Sequence, residues 1–192
     1  VPDDSGVNDL LAFVKVDFQA GALEGTNQAA IEVGHVAEWR RLYESVYAPD
    51  KQHASSLSFD TIGWNSSYDG QPISGDAMRE WLDATLACVR AFRPRRVLEI
   101  GAGAGLILLS IAPRCQRYVA CDFSAPALSR IEQALSAKPI AGVRLLHMAA
   151  HDVSGSGEKS FDTVILNSVA QYFPSWEYLV GVMRSARTMI SD

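Results

Sequence analysis

The chain has 192 residues, 48% hydrophobic and 20% charged, enough to bury one sizeable core. Its net charge of −5 gives no electrostatic reason to expect nucleic acid or an anionic membrane as partner, and its apolar runs are far too short to span a bilayer. Three cysteines (Cys88, Cys115, Cys121) without CxxC, and histidines without ligand spacing, predict reduced core thiols of a cytoplasmic protein and no metal site.

In chain order, the first residue is not methionine and no signal-peptide pattern follows, so Val1 is expected to lie inside a longer polypeptide. Asp3 to Gly6 reads as a turn and Leu10 to Val16 as a strand. A stretch rich in glycine and alanine, from about Ala20 to Thr26, marks a boundary, which divides the chain into residues 1–24 and 25–192. A helix is expected from about Asn27 to Tyr47, stopping before Pro49, with Val36, Trp39, Leu42, Tyr43 and Val46 on one buried face. Residues 50–75 are loop-rich. Asp76 then caps a second helix that buries Met78, Trp81, Leu82, Thr85, Leu86 and Val89 and ends near Phe92-Arg93-Pro94.

From Arg96 the pattern alternates strictly. Strands are expected near 97–100, 118–122, 143–148 and 162–167, and helices near 104–112, 125–137 and 176–189. That alternation predicts an α/β fold, a parallel sheet with helices on both faces, preceded by an N-terminal helical region.

The run Val97-Leu98-Glu99-Ile100-Gly101-Ala102-Gly103-Ala104-Gly105 ends an apolar strand in an acidic residue and three alternating glycines. Glycine lets the backbone turn sharply and approach a ligand with no Cβ in the way. A dinucleotide fingerprint would place a further glycine at position 106, where Leu106 stands. The spacing E-x-G-x-G-x-G resembles instead the first motif of Rossmann-like methyltransferases that use S-adenosylmethionine (SAM). Glycine-rich turns also occur in ordinary loops.

About 20 residues further on, Asp122 ends the second strand, where a carboxylate accepts hydrogen bonds from ribose hydroxyls. Phe123 is placed to lie against the adenine. Asp122 or Ser124 equally suits the cap of the next helix, with Pro126 in its first turn. After the third strand, Asp152 beside His151 can accept from the adenine amino group while an adjoining N–H meets a ring nitrogen. Asp152 can also simply begin the turn towards Ser154 to Gly157. After the fourth strand, Asn167, Gln171 and Tyr172 are polar positions in an apolar run, placed to lie between methyl donor and acceptor. Tyr172 and Phe173 as core and Asn167 as a turn cap is the plainer alternative.

Longer strings carry a narrower resemblance. Gly63-Trp64-Asn65-Ser66-Ser67-Tyr68, Met78-Arg79-Glu80-Trp81, Asp122-Phe123-Ser124 and Leu166-Asn167-Ser168-Val169-Ala170-Gln171-Tyr172-Phe173-Pro174-Ser175 resemble the methyltransferase domains embedded in nonribosomal peptide synthetases, and those of hybrid polyketide assembly lines. The resemblance runs over roughly residues 33–192, and residues 1–20 are similar to an adenylation-domain strand just before such an insertion.

It implies SAM as methyl donor, with S-adenosylhomocysteine as product. It also implies Tyr68, Glu99, Gly101, Ala102, Gly103, Gly105, Asp122, Phe123, His151, Asp152 and Asn167 on the cofactor side. Asn167, Gln171 and Tyr172 would stand at the methyl-transfer step. The implied partners are a flanking adenylation domain and a phosphopantetheinyl carrier protein, whose aminoacyl thioester would be N-methylated. O- or C-methylation of a carrier-bound peptide or polyketide, and a non-catalytic scaffold with this fold, are the alternatives. One departure is Ala104, where many members carry threonine: backbone contacts would survive and a hydroxyl contact would be lost. The family core continues beyond a fourth strand, so the chain is expected to end before that core is complete.

Overall fold

A computed structural model describes residues 25–48, 59–66 and 68–191 of the chain. The turn and strand expected before residue 20, and the boundary at 24/25, lie outside the described residues or at their limit. The elements are α1 (Gly25–Val46), α2 (Gly75–Ala91), β1 (Arg96–Ile100), α3 (Leu106–Ile111), β2 (Arg117–Asp122), α4 (Ala125–Ala137), β3 (Val143–His147), β4 (Thr163–Leu166) and α5 (Trp176–Met189). The four strands form one parallel sheet in the order β3-β2-β1-β4. The chain therefore winds outward from β1 in one direction through β2 and β3, then crosses back to place β4 on its other side. The crevice at that reversal, outside the carboxyl ends of the strands, is where open α/β sheets bind ligands.

β1 and β2 are central and buried on both faces, which explains their continuous apolar runs: Val97, Leu98, Val119 and Ala120 are inaccessible to solvent. One core layer packs α2, α3 and α4 on the sheet around Met78, Leu86, Leu108 and Ile131. The opposite layer packs α5 and the 150–156 turn around Leu98, Val153, Phe161 and Val182. After α5 the chain returns beside β4, where Ile190 bridges Phe161 in parallel.

Several local expectations change. α2 is capped by Ser74, whose Oγ accepts from the Ala77 N–H, not by Asp76. Asp76 already has helical backbone, so it sits in the first turn and pairs with Arg79 at the surface. α3 starts at Leu106 rather than 104, because Gly103 and Gly105 have φ of 53° and 83°, outside the helical range. Leu42 is 50% exposed, since α1 meets the rest of the molecule along the narrower stripe of Trp39, Tyr43 and Tyr47. Of the thiols expected in the core, Cys121 is buried and Cys115 half-buried, while Cys88 is exposed on the outer side of α2. Among the described residues no helix is long and apolar enough to cross a membrane, and no group of side chains is arranged to hold a metal.

Candidate functional site

The three glycines after β1 solve three different steric problems. All have positive φ: 78° at Gly101, 53° at Gly103 and 83° at Gly105. A Cβ on Gly101 would lie 2.7 Å from Val169 Cγ2, so that glycine admits the loop after β4. A Cβ on Gly105 would lie 2.8 Å from Ile131, so that glycine lets α4 pack close. A Cβ on Gly103 would lie 3.0 Å from the Tyr47 hydroxyl, where α1 approaches the loop.

Asp122, at the end of β2, holds this loop in place. Its Oδ2 accepts from the Gly103 N–H and its Oδ1 from the Ser124 N–H, both at 2.8 Å. Ser124 in turn caps α4, its Oγ accepting from the Ala127 N–H. Of this pair the serine caps the helix while the aspartate lines the crevice. Burial pushes the Asp122 carboxyl up, and the N–H groups of Ser124 and Gly103 oppose that shift. Glu99 is more deeply enclosed. Burial raises it from its ordinary 4.5 to about 8, against the opposing effect of the Tyr118 hydroxyl, which donates to its Oε2 at 2.7 Å.

Around this loop lies a cavity of about 340 Å³. Its lining brings together Glu99, Gly101, Ala102, Gly103, Asp122, Phe123, Asn167, Gln171 and Tyr172, residues from three strand ends. A smaller cavity of about 50 Å³ shares Gly101, Asp122, Phe123 and Tyr172 and extends beside Met148, Ala149, Ala150 and Tyr178. The other sequence candidates stand elsewhere. Gly105 caps α3 and lines neither cavity. Tyr68 is fully exposed in a turn outside both. His151 and Asp152 are exposed and lie outside both linings; His151 Nδ1 is 2.7 Å from the Tyr178 hydroxyl, and its Nε2 is 3.4 Å from Asp152.

On the acceptor side, Asn167 Nδ2 donates to Ser168 Oγ at 3.2 Å and Gln171 Nε2 to the Ser168 carbonyl at 3.0 Å. Ser168 itself takes a φ of 53°. The Tyr172 ring packs against Trp39 (centroids 4.6 Å apart) and Tyr43 (5.4 Å), so it is both a cavity wall and an aromatic contact of α1.

The α1 side of this wall was missing from the sequence candidates. Tyr43 and Tyr47 line the larger cavity, and burial raises both of their hydroxyl pKa values. Asp60 lines it too, with its Oδ2 2.6 Å from Arg130 of α4. Arg130 Nε also donates to the Tyr47 carbonyl at 3.4 Å, so α4 is tied to both segments before the sheet. The available signal was the spacing of Trp39, Tyr43 and Tyr47, four residues apart, which puts polar aromatic tips on a face read only as core.

A methyltransferase domain model matches residues 98–192, from β1 onwards. Its sequence relatives include nonribosomal peptide synthetases, matched along most of the chain. It is 39% identical over 191 residues to the probable non-canonical nonribosomal peptide synthetase CymA of Salinispora arenicola, covering 100% of this chain and 2% of that protein. It is 40% identical over 153 residues to the chondramide synthase cmdD of Chondromyces crocatus, covering 79% and 4%. It is 36% identical over 188 residues to the enniatin synthetase of Fusarium oxysporum, covering 94% and 6%. The chain carries a methyltransferase domain of the kind found in nonribosomal peptide synthetases.

The domain spans only a few per cent of the length of these relatives. Solved structures agree on its fold. The N-methyltransferase NodS from Bradyrhizobium japonicum, in complex with S-adenosyl-l-homocysteine, matches with a TM-score of 0.59 at 17% identity, over 79% of this chain and 67% of that one. Phosphoethanolamine N-methyltransferase 1 of Haemonchus contortus matches with a TM-score of 0.59 at 15% identity, over 83% and 30%.

Proposed function

We propose that this methyltransferase domain binds SAM in the cavity beside Asp122 and methylates the α-amine of an aminoacyl group held as a thioester on a carrier protein. The observation that carries the cofactor reading is Asp122: a buried carboxylate at a strand end, anchored to the glycine loop, and lining a cavity at the reversal of strand order. Each of its oxygens has one lone pair engaged by the protein and one left for a ribose hydroxyl. Phe123 gives an aromatic face beside it, and the Gly101 to Ala104 backbone lines the part of the cavity suited to the amino-acid portion. Glu99 supplies a carboxyl that a cationic ligand would favour in its charged form.

When bound, SAM supplies a sulfonium methyl that passes to the amine nitrogen as the S–C bond breaks, leaving S-adenosylhomocysteine. The chain's task is then alignment and exclusion of water. Asn167, Gln171 and Tyr172 line the cavity where they can orient a neutral amine by hydrogen bonding. An α-amine titrates at about 7.7–8.0, so a useful fraction is neutral at physiological pH and no strong base is needed. The amine's proton leaves to water after transfer.

The state of the carboxylates favours an amine over a carbon acid. Asp60 is engaged by Arg130, Glu99 by Tyr118 and Asp122 by two backbone N–H groups. All three thus already serve contacts within the protein, and an amine acceptor, unlike a carbon acid, asks no proton abstraction of them. The peptide synthetase relatives support an aminoacyl acceptor on a carrier protein, with an adenylation domain alongside.

The test incubates the protein with SAM and carrier-bound amino acids and locates any added methyl by fragmentation mass spectrometry. Methyl on the amine nitrogen is expected; methyl on oxygen or carbon would replace the acceptor assignment. Calorimetry with SAM separates an enzyme from a scaffold: no binding heat would overturn the cofactor reading itself. NAD is expected not to compete, because Leu106 occupies the place of the dinucleotide motif's last glycine.

A further inference from the structure

A third cavity, of about 310 Å³, lies at the opposite end of β1 and is lined by Arg90, Arg93, Arg95 and Arg114 together with Ile111 and Cys115. The five residues of β1 separate it from the Asp122 crevice by about 16 Å, so it belongs to a different face of the molecule. We propose that it is a binding site for a small oligophosphate, the class represented by inorganic pyrophosphate.

Arg79, Arg96, Arg117, Arg130 and Arg144 each face a carboxylate. Among the described residues, the four cavity arginines have no ion-pair partner, in a chain whose net charge is −5. Four unneutralised guanidiniums in one concavity repel one another, and the concave shape concentrates their field. The helix dipole accounts for only part of the cluster. Cations are favoured at a helix C-terminus, which suits Arg90 in the last turn of α2 and Arg93 just beyond it. Arg114 closes the 112–114 helical turn that continues α3, so the same reason reaches it, but Arg95 leads into β1 and has none.

Arg93 also holds a φ of 51°, uncommon for a residue with a side chain, while its N–H returns to the Arg90 carbonyl at 3.0 Å. Asp162, beside Arg95, is committed to the backbone N–H groups of Arg95 and Arg96 and to the Arg96 side chain.

Every cation lining the cavity is an arginine. A planar guanidinium meets phosphate oxygens through two parallel hydrogen bonds, which an ammonium cannot do. A concavity of this size suits a compact polyanion better than an extended protein segment, which would seek a broader face. Cys115 takes no chemical part. Its thiol donates to the Ile111 and Pro94 carbonyls, and burial, then Asp162, pushes its pKa up.

Calorimetric titration of the protein with inorganic pyrophosphate, at constant ionic strength, tests the site. Pyrophosphate is expected to bind more tightly than orthophosphate. The double variant Arg95→Ala/Arg114→Ala should weaken it by about tenfold or more, the equivalent of one lost charge-assisted hydrogen bond. Arg95→Lys/Arg114→Lys, which keeps the charge and the fold but loses the planar fork, should show a smaller loss. SAM binding should be unchanged in both variants. Equal pyrophosphate affinity in the parent and both variants would overturn the proposal. So would displacement of pyrophosphate by SAM, which would put the anion in the other cavity. Tighter binding of a glutamate-rich peptide of equal charge would make the surface a protein-docking face instead.

Discussion

Asp122 gives one lone pair from each carboxylate oxygen to the protein, one to the glycine loop and one to the α4 cap. Asp122→Ala should therefore act twice. It removes an acceptor from the cofactor cavity, weakening SAM binding by about 1–3 kcal/mol, and it leaves the Gly103 and Ser124 N–H groups unpaired, at a similar cost to stability. Calorimetry and thermal unfolding separate the two losses; normal SAM affinity in a folded variant would remove Asp122 from the site. Glu99 makes a pH prediction. Its carboxyl rises from 4.5 to about 8 on burial, so between those values the folded state holds a proton that the unfolded chain has lost. Stability from this group is complete below about 4.5 and falls as pH rises through 8. Asp122 is shifted in the same direction. Denaturant titrations from pH 5 to 8.5 should show the ligand-free protein losing stability. Glu99→Gln, which still accepts from the Tyr118 hydroxyl, should lose less, with a difference of a few kcal/mol in order of magnitude. Parallel pH profiles would mean that Glu99 is ionised in the free protein.

At the level of elements, α2 shows how narrow the margin of local reading is. Ser74 and Asp76 are both good helix-start residues two positions apart, and chain direction decides between them. Ser74 has φ −59° and ψ 146°, extended enough for its Oγ to turn back on the Ala77 N–H. Ser74→Ala should cost about 1 kcal/mol, the usual value of an N-cap. Asp76→Ala should cost about 0.5 kcal/mol or less, because its pair with Arg79 is solvent-exposed. Chemical denaturation of the two variants would show the order, and a larger loss at Asp76 would return the cap to it. The strands and the helices from β1 onward were legible because their apolar periodicity is set by what each strand or helix touches on either side. α1 was legible as a helix but not as a site wall. A helical face that meets a ligand cavity and one that meets a core carry the same spacing, and only its neighbours distinguish them.

For the whole molecule, the candidate cavity is a meeting place of segments distant in sequence: α1, the 60–65 loop, the ends of β1 and β2, and residues 167–172. Tyr172→Phe keeps the ring contacts with Trp39 and Tyr43 and removes one hydroxyl. Folding and SAM affinity should hold while methyl transfer to a carrier-bound amine slows by up to about 10²-fold, the lower end for a group that aligns or relays a proton. Turnover at the parent rate, in that variant and in Asn167→Ala and Gln171→Ala, would move the acceptor contacts to other residues. By itself the sequence determined the strand, glycine loop and acid at position 122, since a short run of residues suffices to encode a turn with positive φ and a buried strand before it. It also carried the family resemblance, through strings that happen to be contiguous. Tertiary structure alone decided that Tyr43, Tyr47 and the Asp60–Arg130 pair close the cavity, that Tyr68 stands outside it, and that four arginines share another at the far end of β1. Those outcomes depend on how helices cross a sheet, and packing between remote segments leaves no local pattern in the chain.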